Sequence, residues 1–396
     1  MDRQDETTEK TRTGLFTRDF VLGFFTLFFS AAAIHSLTPT FPIYLTKLGS
    51  SEREIGVLIG TFAVAALVSR LFVGRALEKH SERSVMMFGA SLSVISFLAY
   101  NVFRSFWPFF MIRFLQGVTF ACIDTAVLAA IVGVVPVAYR ARALGYLMLA
   151  PSLAVAFAAP LSMLIINQFS FTVLFLSGAG LSFCTLVMSS AVKSKRVPLP
   201  NKVTPVCTAD YFNFRIVGPG ITSFIQLFVW GAISAFFPLY AIQCGVENPG
   251  HFFTAMSLMM IAGRAFGGRI MDSCSKERFI VGFLPSVSII LVILSFSRTL
   301  PMFIIVGALW GMGAAFFVPI AMAHAFEYVG SSAGSAVGTF RAMQDLGLGI
   351  GPVVMGFIVP LTGYRVMFVF LAIICLFNMG YFQFFIRRKK RAMPGG

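Results

Sequence analysis

Residues Ser69 to Arg83 read SRLFVGRALEKHSER, and Gly263 to Arg278 read GRAFGGRIMDSCSKER. Offset by 194 positions, Arg70 falls on Arg264, Phe72 on Phe266, Gly74 on Gly268, Arg75 on Arg269, Glu78 on Asp272 and Ser81 on Ser275. Each stretch closes a long apolar run and passes into a short charged loop, so one membrane hairpin is present twice, half a chain apart. A glycine near a helix end admits a second helix at close range. Glu78 or Asp272 would sit at a helix C-terminus, where the macrodipole disfavours a negative charge unless a cation or another helix N-terminus answers it.

Working outward, the repeat extends over the chain. Phe41, Pro42, Tyr44 and Gly49 match Phe237, Pro238, Tyr240 and Gly245. Gly117, Phe120 and Ala121 fall opposite Gly311, Ala314 and Ala315, and Ala159-Pro160 opposite Gly351-Pro352. The composition is 57% hydrophobic and 12% charged, with 46 Phe and a mean hydropathy of +0.85. Soluble domains carry about 25% charged residues. Apolar runs of about 20 residues, enough to cross a bilayer, fill most of the length, without strand alternation. The expected fold is all-α: a polytopic membrane protein with twelve transmembrane helices in two pseudo-symmetric six-helix halves. Spans are expected at 20–46, 54–76, 84–104, 107–136, 142–166, 170–192, 214–243, 250–272, 279–297, 301–328, 335–360 and 365–387.

Residues 1–18 form a polar tail with no apolar core or cleavage site, hence no cleaved signal peptide. The first half runs over 19–192. Residues 193–213, basic and with three prolines, are a linker. The second half covers 214–387, and 388–396 is a basic tail. Lys and Arg gather in the N-terminal tail, the even-numbered loops, the linker and the C-terminal tail; the odd-numbered loops hold Lys47, Arg53, Arg104, Arg298 and Arg365. The positive-inside rule then places both termini in the cytoplasm, with Arg387-Arg388-Lys389-Lys390-Arg391 against an anionic leaflet. A net charge of +15 distributed this way speaks for the bilayer as partner and against nucleic acid. The six scattered cysteines have no metal-binding or disulfide spacing and read as apolar fillers.

Twelve spans, parallel halves and the GRALEKHSER loop resemble the major facilitator superfamily. The loop is similar to its signature G-x-x-x-D-R-x-G-R-R at Gly74, Glu78, Lys79 and Arg83, with Ser81 where the second glycine stands; Gly268 and Asp272 are the second copy. Arg113, Gln116 and Gly117 fit the R-x-x-Q-G motif of span 4, and 338–356 resembles span 11 of bacterial efflux-type permeases. The resemblance implies a secondary active transporter in the cytoplasmic (inner) membrane, working as a monomer by alternating access. It implies a cavity walled by spans 1, 4, 7 and 10, and a role for Arg113 in proton coupling or structure. The glycine-rich span-5 motif of drug/proton antiporters keeps Pro160 but has alanine or larger residues where glycines belong in VAFAAPLSML (155–164), which places antiport in question.

Polar side chains inside a bilayer are costly and are functional candidates by default. Arg113 and Asp124, eleven apart on span 4, share one helix face about 16 Å apart along the axis; Asp124 is a candidate proton carrier and Arg113 a cation tuning it or binding an anion. His35 is a candidate relay on span 1. Arg341 and Asp345, four apart on span 11, read first as a self-contained ion pair and second as coupling residues. Gln116, Gln226, Trp230 and Trp310 are candidate cavity residues. Arg70 and Arg264 snorkel or clamp a cytoplasmic gate, Asp19 reads as an N-cap of span 1, and His324 and Glu327 read as interfacial. The GLGIGP run lacks a preceding strand and a Lys-Ser/Thr partner, so it reads as helix contact and not as a phosphate loop.

Together these features imply proton-coupled efflux of a drug-like or metabolite small molecule. The alternative on the same fold is organic-anion or metabolite uptake or uniport, and of another class, a non-transporting membrane receptor or assembly partner. No cofactor or metal site and no enzymatic constellation is expected.

Overall fold

The computed structural model describes residues 17–135, 140–193, 214–266, 275–326 and 333–386. No strand occurs among the described residues. In chain order the helices are α1 (Arg18–Lys47), α2 (Glu52–Lys79), α3 (Glu82–Ala99), α4 (Phe106–Val134), α5 (Arg140–Leu147 continued by Leu149–Gln168), α6 (Phe171–Ala191), α7 (Phe214–Gln243), α8 (Gly250–Phe266), α9 (Lys276–Phe296) and α10 (Leu300–Phe326). The last helical stretch, Ala333–Tyr381, breaks at Gly363 (φ 79°, ψ 167°), so α11 denotes 333–362 and α12 denotes 364–381. Ten helices among the described residues are long and apolar enough to cross a membrane when 338–384 is counted once. The break at Gly363 divides that stretch, and α8 reaches 17 residues where the description stops. Twelve spans remain the expectation from the sequence. The linker beyond Lys193, the basic tail, Glu327 and the second loop copy with Gly268 and Asp272 lie outside the described residues.

Local chemistry sets the helix ends. Ser51 caps α2 in a reciprocal box with Glu54: its backbone N–H donates to Glu54 Oε2 at 2.8 Å, and its hydroxyl accepts from Glu54 N. Ser81 starts α3 and Ser275 starts α9, the two serines the repeat aligns. Two expectations change here. The N-cap of α1 is Thr17, whose hydroxyl accepts from Phe20 N, and Asp19 instead sits in the first turn and accepts from Lys193 N at 3.1 Å. Helix α3 stops at Ala99 and not near 104, because the chain turns through Tyr100–Phe103 and is extended again at Ser105.

The repeat is visible in the backbone. α1 and α7 end in the same motif: Gly49 and Gly245 both have φ +82°, Ser50 N bonds Leu45 O, and Val246 N bonds Ala241 O. Only glycine enters that region without strain. The aromatic packing repeats as well, with Tyr44–Phe109 and Tyr240–Phe303 each at 5.9 Å between ring centroids.

Helices α1–α6 pack mainly among themselves, as do α7–α12, and the two groups meet along α2 with α11, α5 with α8, and α1 with α7. The first two seams are one contact used twice. A Cβ on Gly56 would strike the Pro352 carbonyl, and a Cβ on Gly250 would strike the Ala159 carbonyl and Pro160 Cα. Gly60 faces the Gly349 carbonyl in the same way, while Gly347 and Gly351 face the carbonyls of Phe224 and Phe228. The GLGIGP run is therefore helix contact on both sides. Leu71, Ile95, Phe183 and Phe377 stand exposed on the outer surface, as helices solvated by lipid require.

Candidate functional site

A cavity of about 330 Å³ lies between the halves at mid-height, within the range of small-molecule sites. His35 and Thr38 reach it from α1, Phe62 from α2, Arg113 from α4, Gln226 and Trp230 from α7, and Trp310 from α10. These positions follow from spacing: Gln226, Trp230 and Ser234 recur every fourth residue and form one stripe on α7. The Trp230 and Trp310 rings lie 5.9 Å apart at 36°.

Arg113 is 6% exposed. Its Nε donates to Leu58 O at 3.3 Å and its Nη1 to Gln116 Oε1 at 3.1 Å. Its guanidinium lies over Phe41 at 4.4 Å and Phe62 at 5.6 Å. Tyr100 donates to the same Gln116 oxygen at 3.0 Å. Gln116 is thus not part of the cavity wall; it stands behind Arg113 and fixes it. Arg264 of α8 also lines the cavity, and its Nη1 donates to Met148 O at 3.3 Å and Ser152 Oγ at 3.2 Å, both on the first half. Among the described residues neither arginine has a carboxylate within ion-pair distance, and no residue lining the cavity is Asp or Glu. Arg264 is exposed, but Arg113 is a buried cation with no opposing charge, which is costly, and its carbonyl bond and cation–π contacts offset only part of that. An anion entering the cavity would supply the rest. His35 Nδ1 lies 3.3 Å from Thr38 Oγ1.

Arg70 lies seven residues beyond Ala63, about 10 Å further along α2. Its Nη1 donates to Asp124 Oδ2 at 2.7 Å, and its Nε lies 3.0 Å from Asp345 Oδ2. The second contact is an ion pair without the alignment of a hydrogen bond, since both atoms lack a bonded partner by angle. Asp345 is therefore joined to α2 of the other half and not self-contained with Arg341. Asp124 and Arg113 do share a face of α4, as their spacing requires, and that face meets α2: Asp124 meets Arg70 and Arg113 meets Leu58. The two do not pair with each other.

The loop residues behave differently from the expectation. A Cβ on Gly74 would meet nothing within 4 Å, so Gly74 holds no helix close. Glu78, Lys79 and Arg83 are exposed around the α2–α3 turn. His324 is buried at the end of α10, with its ring 5.3 Å from that of Phe382. Of the aromatic residues around Arg113, Phe41 was visible in the sequence only as a repeat match to Phe237, and Tyr100 and Phe62 gave no signal beyond being aromatic in a chain with 46 Phe.

The Major Facilitator Superfamily model matches residues 23–298 and 220–395. The chain belongs to this superfamily. It is 24% identical over 358 residues to the staphylopine export protein of Staphylococcus aureus, covering 86% of this chain and 89% of that one. A quinolone resistance protein of Staphylococcus aureus is 26% identical over 128 residues, 32% of this chain and 33% of its own. The solved structure of the nucleoside transporter NupG superposes with a TM-score of 0.77 at 14% identity, over 94% of this chain and 100% of the other, and shares the fold. This superfamily member is thus a multi-pass membrane transporter of small molecules.

Proposed function

We propose that this superfamily transporter exports small organic anions from the cytoplasm in exchange for protons, by alternating access about the central cavity. The observation that carries the reading is the cavity lining: Arg113, Arg264 and His35 are its titratable groups, and no carboxylate opposes them. A cationic substrate would meet two guanidinium groups in the cavity lining. Direction is supported by the export function of the staphylopine export protein, which aligns with most of this chain. The Arg70–Asp124–Asp345 cluster supplies the proton site. One guanidinium serves two carboxylates from opposite halves, so protonating Asp345 removes its attraction to Arg70 and loosens the α2–α11 seam. Arg341, one turn before Asp345, lies on the same side of α11. The positive-inside distribution supports cytoplasmic termini, and the chain works as a monomer in the cytoplasmic membrane.

The test is dye retention in an efflux-deficient bacterial host. Cells are loaded with carboxyfluorescein, an anion, or ethidium, a cation. The chain should lower carboxyfluorescein retention relative to empty vector, a protonophore and Arg113→Gln should each restore it, and ethidium should not respond. Extrusion of ethidium alone would overturn the anionic reading, and extrusion of carboxyfluorescein indifferent to the protonophore would overturn proton coupling.

A further inference from the structure

The repeat sets a second arginine where Arg70 stands, without its carboxylates. Helix α2 crosses α4, and α8 crosses α10, in the same way: a Cβ on Gly117 would strike the Phe62 carbonyl, and a Cβ on Gly311 would strike the Met256 carbonyl, each 194 positions on. The seams with the opposite half match as well, Gly56 against Pro352 and Gly250 against Pro160. Arg264 therefore holds in the second half the place that Arg70 holds in the first. Arg70 meets Asp124 and Asp345. The position matching Asp124 is Val318, 194 residues on, and the position matching Asp345 is Leu153, by the offset of 192 that relates Pro160 to Pro352. Both carboxylates are replaced by apolar residues, and the guanidinium remains.

Arg264 is exposed, and it lines the cavity together with Val318, Ser152 and Met260. Its Nη1 donates to Met148 O at 3.3 Å and to Ser152 Oγ at 3.2 Å. A guanidinium has five N–H donors in a fixed fork. Those on Nη1 serve these two bonds, and among the described residues none accepts from Nε or Nη2. That free edge is the one on which a carboxylate forms two parallel bonds. Arg264 also stands at a different depth from Arg113. Gly56 and Gly250 mark one level, since they fill equivalent seams. Arg113 donates to Leu58 O, two residues or about 3 Å inward of Gly56, whereas Arg264 is bonded at Ser152, eight residues or about 12 Å inward of Pro160. Arg264 thus lies toward the end of the cavity that the Lys and Arg distribution assigns to the cytoplasm.

Resting on the anionic reading above, we infer that Arg264 is a second anion subsite at the cytoplasmic end of the cavity, which takes a carboxylate of the entering substrate on Nε and Nη2 before Arg113 receives it. The bound carboxylate stands where the first half carries that of Asp124. The first half completes its arginine cluster with its own side chains, and the second half completes the equivalent cluster with substrate. The same guanidinium joins α8 to α5 through Nη1, so an anion captured there is held at a contact between the halves, where occupancy bears on their relative position.

The experiment modifies arginines of the purified full-length chain with phenylglyoxal, reads each site by peptide mass spectrometry, and follows carboxyfluorescein binding by anisotropy in the same samples. With carboxyfluorescein at about ten times its Kd, modification of Arg264 should slow about tenfold while that of exposed Arg83 is unchanged. Arg264 left unprotected while carboxyfluorescein is bound overturns the inference and leaves the anionic reading standing on Arg113; that comparison needs no variant. Val318→Asp restores the carboxylate that Asp124 supplies to Arg70. It should shield Arg264 without ligand and weaken carboxyfluorescein binding about tenfold, whereas Val318→Asn should stay within about twofold of wild type. A folded Val318→Asp that binds as wild type does overturns the inference. So does a Val318→Asp effect that persists undiminished beside Arg264→Gln, because the new charge would then act by repulsion at Arg113. Protection of Arg264 by added phosphatidylglycerol and not by carboxyfluorescein would assign the subsite to a lipid phosphate and overturn it as well. Absence of carboxyfluorescein binding at millimolar concentration overturns the anionic reading and this inference together.

Discussion

Arg70 of the first half and Asp345 of the second are separated by 275 positions in sequence and by 3.0 Å in space. The same arginine donates to Asp124 at 2.7 Å. Their side chains are 12–18% exposed, so solvent screens the cluster only in part. Removing the cation should cost more than removing the whole cluster. Arg70→Ala leaves two facing carboxylates, with a loss of about 2–5 kcal/mol expected for breaking such a pair one-sidedly and a discount for the residual exposure. Adding Asp124→Asn and Asp345→Asn to Arg70→Ala should recover most of it. Thermal unfolding of the detergent-solubilised chain measures this, and a triple variant less stable than Arg70→Ala contradicts it.

Asp345→Asn alone tests the inter-half role. It keeps shape and removes the charge that joins α11 to α2, which should weaken that seam by about 1–3 kcal/mol. Spin labels on the α2–α3 and α10–α11 loops should show a population shifted toward longer distances, with transport insensitive to a protonophore. Unchanged distances together with unchanged protonophore sensitivity would remove Asp345 from the coupling scheme.

The halves and most helix ends were legible because they rest on local signals: apolar length, caps, prolines and a repeat near 194. The equivalence of Gly49 and Gly245 was readable as a match of letters, and the structure gives it a cause in their shared positive φ. Partners across the halves were not legible. The i to i+4 rule offered Arg341 to Asp345, whereas the pair that forms uses a residue from the other half, which only tertiary packing brings near. Gln116 failed as a cavity residue for a related reason: spacing gives the face of a helix and not which side chain on that face reaches the void. The role of Gly74 was misjudged because a glycine near a helix end fits both close packing and open space.

The glycines allow a direct contrast. Gly56→Leu forces a side chain into the Pro352 carbonyl where α2 crosses α11, and overpacking of this kind costs about 1–3 kcal/mol or more. Gly250→Leu, at the repeated seam, should behave alike. Gly74→Ala meets nothing within 4 Å and should be neutral or stabilising by up to about 1 kcal/mol, since alanine is the better helix former. Melting temperatures of the three variants decide the matter, and a destabilised Gly74→Ala would mean that Gly74 is needed in another conformation of the cycle.

Tyr100→Phe isolates the support of Arg113. The hydroxyl donates to Gln116 Oε1 at 3.0 Å, and that oxygen also accepts from Arg113 at 3.1 Å. Tyr100 does not line the cavity, so it acts as a positioning residue and its loss should register through Arg113. Removing one neutral hydrogen bond is worth about 1 kcal/mol, so the apparent KM for anion export should rise roughly fivefold while the maximal rate stays near wild type. Arg113→Lys keeps the charge but gives up the planar fork and its stacking on Phe41 and Phe62, and should raise KM further. In the double variant the Tyr100→Phe effect should largely vanish, because the geometry it protects is already lost. Additive effects in the double variant would show that Tyr100 acts on the packing of Phe41, Phe109 and Phe175 and not through Arg113.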